Sequence, residues 1–181
     1  LISYDAALEE FQHVHPEFKD GCRSVEANYA VNGRYWIWAQ GQTRKDKEEF
    51  SISQIVLVRG GSVAHALPPK LEQKLKAIDG GSVAVLSSGE LKSGQPLMLD
   101  LKLSRSDQKS PKISPFLGAM AHVILVDQSG SELLHVHPMP GNSKTTLMLH
   151  TEFPYPGQYR VWAQFLDDGK LRTVALALNV N

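Results

Sequence analysis

The chain has 181 residues, enough for one or two small domains that each bury a core. Its 19 basic and 19 acidic residues balance, which argues against a partner read by charge, such as nucleic acid or an anionic membrane. A single cysteine, Cys22, excludes an internal disulfide framework and a cysteine-cluster zinc site, and the longest apolar runs, such as Ala119–Val126, are too short to span a bilayer.

The chain opens in mid-pattern at Leu1-Ile2-Ser3-Tyr4, with neither an initiator Met nor a signal peptide, and reads as a piece of something longer. Next comes His13-Val14-His15-Pro16, and after it Gly33-Arg34-Tyr35-Trp36-Ile37-Trp38-Ala39-Gln40. Both return, as His135-Val136-His137-Pro138 and as Gly157-Gln158-Tyr159-Arg160-Val161-Trp162-Ala163-Gln164. An ungapped alignment of His13 on His135 sets Asp5 on Asp127 and Leu1 on Val123. The residue before Leu1 in the parent protein is then expected to be the counterpart of His122.

Residues 1–60 are read as a first β-sandwich repeat, incomplete at its N-terminus and keeping the equivalents of the last five strands. Residues 61–81, with paired prolines and two Gly-Gly steps, are read as a linker; Leu71, Leu75 and Ile78 fit one face of a short helix over Pro69–Ile78. Residues 82–181 form the second, complete repeat. Its expected strands are Ser82–Ser87, Pro96–Leu103, Gly118–Val126, Glu132–His137, Lys144–Phe153, Gln158–Leu166 and Leu171–Val180. Tyr159, Val161, Ala163 and Phe165 alternate inward, so Arg160, Trp162 and Gln164 face outward. Gly157-x-Tyr159 suits the tyrosine corner of sandwich folds, with Val161 where antibody domains carry a cysteine. The fold class is all-β: two tandem immunoglobulin-like or cupredoxin-like sandwiches, the first truncated.

Chemistry concentrates in the second repeat. With Asp127–Gly130 as the hairpin turn, His122 pairs with His135 and Met120 with His137, and all four side chains project from one face. Imidazoles with a thioether suit copper; zinc is satisfied by three histidines, whereas calcium and magnesium want oxygen. His150, Met148 and Met139 are second-tier candidates, and His13 and His15 are an incomplete counterpart in the first repeat. His65 has no partner assignable from sequence. Cys22 is taken as an inert thiol, and Trp36, Trp38 and Trp162 as packing residues of the scaffold rather than a sugar-stacking surface.

Phe11-Gln12-His13-Val14-His15-Pro16-Glu17 resembles one half of a set of uncharacterised bacterial envelope proteins described as heavy-metal or copper-binding. Pro115-Phe116-Leu117-Gly118-Ala119-Met120-Ala121-His122, with His135–Pro138 and Phe153-Pro154-x-Pro156-Gly157-x-Tyr159, resembles their other half. The resemblance implies a periplasmic or extracellular protein, tethered where it is tethered through parts absent from this chain. The leading expectation is a copper-binding protein for sequestration, sensing or transfer, with the metal ion and an envelope protein as partners. The alternative is a metal-free structural or interaction module whose histidines are architecture. A His₃ zinc hydrolase is a third reading, weakened because no carboxylate sits in the cluster to act as general base.

Overall fold

The computed structural model describes residues 1–43, 45–65, 71–87 and 89–181, and all regular structure among them is β. The chain divides into two compact units, Leu1–Pro69 and Lys70–Asn181.

The second unit holds β7 (Lys76–Asp79), β8 (Ser82–Ser87), β9 (Pro96–Arg105), β10 (Ile113–Ser114), β11 (His122–Asp127), β12 (Leu133–Val136), β13 (Met139–Pro140), β14 (Thr146–Glu152), β15 (Gly157–Asp167) and β16 (Lys170–Val180), counted after the six strands of the first unit. They form two antiparallel sheets. The front sheet runs β16-β15-β11-β12, with β10 pairing the end of β15; the back sheet runs β13-β14-β9-β8-β7. Apolar and polar residues alternate along β9 and β14, which turn one face inward. In contrast, β11 and β15 are buried on both faces, so Arg160, Trp162 and Gln164, expected to face outward, are buried too. Tyr159, Val161, Ala163 and Phe165 of β15 meet Leu99, Leu101 and Leu103 of β9 and Leu147 and Leu149 of β14 in one buried core. The β15–β16 hairpin turns on Asp168-Gly169, both at positive φ (54° and 72°), which matches the right-handed twist of the paired strands.

A buried carboxylate pins the two sheets at one end. Asp167 of β15 accepts from Ser82 Oγ (2.6 Å), the Lys112 backbone N–H (2.9 Å) and Arg105 Nη1 (3.2 Å). Both carboxylate oxygens are thereby matched to donors, as burial of a charge requires. At the sandwich edge the chain crosses from front to back sheet within two residues, His137 and Pro138, which separate β12 from β13. Pro138 has no N–H for a ladder, and β12 ends two residues before it.

The first unit holds β1 (Ile2–Asp5), β2 (Phe11–His13), β3 (Glu17–Lys19), β4 (Cys22–Ser24), β5 (Gly33–Gln42) and β6 (Glu49–Val58). Its main sheet, β2-β1-β5-β6, follows the order of β12-β11-β15-β16, and β3 pairs with β4 in a separate two-stranded sheet. The correspondence reaches single hydrogen bonds. Ile2 pairs with His13 and Trp38 as Ile124 pairs with His135 and Trp162. Tyr35 Oη donates to the Val31 carbonyl (3.1 Å) as Tyr159 Oη donates to the Tyr155 carbonyl (2.8 Å). The glycine two residues before each tyrosine sits at φ 137° and 140°.

Three expectations are corrected. Instead of a helix, residues 76–79 form β7, paired to β8 as the edge of the back sheet; Pro69 and Lys70 lie outside the described residues. Alternating exposure of Lys76, Ala77 and Ile78 with a neighbouring strand to pair outweighs a three-residue helical stripe. The stretch 61–81 is therefore not simply a linker, and the boundary between units falls at 69/70. The first unit keeps four of the five expected strand equivalents in its sheet, because the segment matching β14 has no equivalent of β9 to pair with.

Candidate functional site

The β11–β12 hairpin is closed by Asp127. Its carboxylate accepts from the backbone N–H of Ser129 (3.0 Å) and of Glu132 (2.7 Å) and bonds the Ser129 hydroxyl, while Gly130 N–H returns to the Asp127 carbonyl (2.9 Å). Asp127 is thus the last residue of the strand rather than the first of the turn. The register becomes Ile124↔His135 and Val123↔Val136, slipped by two residues from the expected pairing of His122 with His135. A slip of two preserves the face, since side chains alternate with period two. Asp5 builds the same loop in the first unit, accepting from the N–H groups of Glu9 (2.8 Å) and Glu10 (3.0 Å).

Ala121, Val123 and Leu125 enter the core, so His122 projects from the opposite face of the front sheet. There the structure gathers His122, His135 and His137. His122 Nδ1 lies 3.1 Å from His135 Nε2, and the ring centroids are 4.6 Å apart for His122–His137 and 4.7 Å for His135–His137. His122 is fully buried, His135 half-buried and His137 exposed, so the cluster opens to solvent through His137.

A local turn fixes the buried ring. Phe116 and Ala119 exchange backbone hydrogen bonds around Leu117-Gly118, both at positive φ (51° and 87°), and the Phe116 carbonyl lies 2.9 Å from His122 Nε2. A carbonyl only accepts, so Nε2 carries the proton and Nδ1 presents its lone pair toward His135. The Phe116 ring meets His122 edge-on at 5.8 Å. Nothing in the sequence announced this carbonyl: the expected strand began at Gly118, which the structure places in the turn.

Met120 is not placed where the sequence set it. It stands in a bend before β11 and packs against the sandwich core, because the turn at Leu117-Gly118 delays the strand to His122. The parity argument extended a strand that does not reach Met120. Met139, Met148 and His150 lie on the outer face of the back sheet, apart from the histidine set on the front sheet. In the first unit, buried His13 and exposed His15 meet edge-on at 5.2 Å, and His65 pairs with Glu10 at 3.3 Å. The hairpin's carboxylates, Asp127 and Glu132, sit at its turn, at the far end of β11 from His122.

A family model described as a domain of unknown function, DUF8832, matches residues 76–181, more than half of the chain. The chain belongs to this family. The DUF8832 region takes in β7–β16 and with them His122, His135 and His137; the strands of the first unit lie outside it. No curated protein matches the chain. Among the described residues no helix is long and apolar enough to cross a membrane.

Proposed function

We propose that the DUF8832 region binds a transition-metal ion through His122, His135 and His137, and that the chain serves in metal sequestration, sensing or transfer outside the cytoplasm. The observation that carries this reading is the His122 ring, whose Nε2–H is held by the Phe116 carbonyl while Nδ1 lies 3.1 Å from His135 Nε2. Metal-ligating histidines characteristically donate their other ring N–H to a carbonyl or carboxylate, which fixes the tautomer. Two nitrogens sharing one ion at bonds of about 2.0–2.1 Å stand about 2.9–3.4 Å apart between square and tetrahedral angles. With three imidazoles and no thioether, the donor set favours Cu(II), which heads the divalent affinity order, and zinc is the competitor.

The same 3.1 Å contact is also what a buried N–H···N hydrogen bond would give, which favours a second reading as a metal-free structural or interaction module. Thermal melts of the full chain with Cu(II) or Zn(II), alone and with His135→Ala/His137→Ala, separate the two. Metal at about a hundredfold over Kd is expected to stabilise the protein by about 2.7 kcal/mol, and the double variant is expected to lose that gain. A melt unmoved by metal, with a double variant that is merely less stable, would remove the metal reading and leave the histidines as architecture.

A further inference from the structure

The outer face of the back sheet collects soft donors that the histidine centre does not use. Met139 of β13 pairs directly with Met148 of β14, and Met148 pairs in turn with Asp100 of β9. One step along the same face, His150 of β14 pairs with Met98 of β9. Leu97, Leu99 and Leu101 of β9 and Leu147 and Leu149 of β14 alternate with them and turn to the core, so all five residues project outward together. Three of the four methionines in the chain stand on this one patch. Met98 and Met139 are each 52% exposed and His150 is exposed, so the thioethers gain little from burial where they are.

We propose that Met98, Met139, Met148 and His150 form a second metal site, selective for a soft monovalent cation of the Cu(I) or Ag(I) type. Thioether sulfur is a neutral, polarisable donor that prefers such ions and binds zinc, calcium and magnesium poorly. Directly paired residues hold their Cβ atoms about 4.5–5.5 Å apart and neighbouring rows about 7 Å apart. The unbranched methionine side chain, with three rotatable bonds, spans those gaps and lets the sulfurs converge. Asp100, in the row of Met148, places a carboxylate beside a cationic ligand, and Lys102 stands two residues along the same strand face. The donor class distinguishes this patch from the all-imidazole cluster of the front sheet, so either centre stands or falls without the other.

The test is a titration of the full chain, labelled at the methionine ε-methyl groups, with Ag(I) in chloride-free buffer. Met120, packed against the core, is the internal reference. The expected result is that the methyl signals of Met98, Met139 and Met148 move together and saturate at a single equivalent while Met120 stays still, and that Zn(II) moves none of them. Met139→Leu with Met148→Leu keeps shape and apolarity on an exposed face, so it spares the fold and should weaken Ag(I) binding at this patch by at least about tenfold. Methyl signals that stay put, that move equally at Met120, or an affinity unchanged in the double leucine variant would overturn the proposal.

Discussion

The hydroxyls of Tyr35 and Tyr159 each donate to a carbonyl four residues upstream. Burial, reinforced by Asp5 and Glu10, pushes Tyr35 up to about 12, and burial raises Tyr159 as well. A folded pKa above the unfolded value of about 10 means that the stabilising contribution is complete below pH 10 and is lost as pH rises through the folded value. The melting temperature is therefore expected to fall steeply between about pH 10 and 12, in step with phenolate absorbance. Tyr35→Phe should melt lower at neutral pH yet lose less over that interval; a variant that tracks the parent across it would show that Tyr35 does not govern the alkaline limb. The Tyr159 corner was legible from Gly157-x-Tyr159 because only a glycine fits the positive φ at the mouth of the strand. The placement of Met120 was not legible, because it depends on a turn carbonyl and on Leu117, a non-glycine residue at positive φ, for which sequence offers no reliable mark.

At the scale of elements, alternation fixed which face each strand buries, and it therefore placed His122, His135 and His137 together despite a register two residues off. The turn sequence Asp-Gln-Ser-Gly-Ser-Glu admits more than one closure, and the Asp127 side chain selects between them through hydrogen bonds that spacing alone does not reveal. Alternation also counted β6 among the expected strands without showing how open it is. Among the described residues this strand pairs with β5 alone, and it leaves Ile52, Ile55 and Leu57 at 63%, 49% and 62% exposure, on both of its faces. Its counterpart β16 turns Val174, Leu176, Leu178 and Val180 into a core closed by a second sheet. An apolar, open edge strand is a template for pairing between chains. Ile55→Lys with Leu57→Lys is expected to raise the concentration at which the protein self-associates, with stability changed by no more than about 0.5 kcal/mol per substitution. Light scattering against concentration measures it, and an unchanged onset would show that β6 is not the sticky edge.

Considered as a whole molecule, the chain joins a closed sandwich to a single sheet built on the same plan. The second unit has its own two-sheet core and its own buried ion cluster at Asp167. The first has one four-stranded sheet and a separate two-stranded hairpin. A domain folds alone when it closes a core of its own, and small ones do so with little margin. Residues 70–181 are thus expected to unfold cooperatively as an isolated fragment, with near-ultraviolet circular dichroism from the core rings of Phe153, Tyr159 and Phe165, and residues 1–69 are expected to give neither signal. A cooperative melt from 1–69 would mean that one sheet suffices. The repeat was plain in the sequence because both motifs recur at nearly matched spacing. The missing second sheet of the first unit was only partly so: the shortfall in strands could be counted, but where β3 and β4 would go could not.

The matched hairpins at Asp5 and Asp127 have a practical consequence for anyone altering this protein. Each position on the first hairpin has a partner 122 places on (135 − 13), and each tyrosine corner one 124 places on (159 − 35). Leu8 at φ 57° even occupies the slot that Gly130 fills at 78°. A substitution made in one copy leaves an untouched twin on the same backbone in the same tube, so the chain carries its own reference for what a residue contributes.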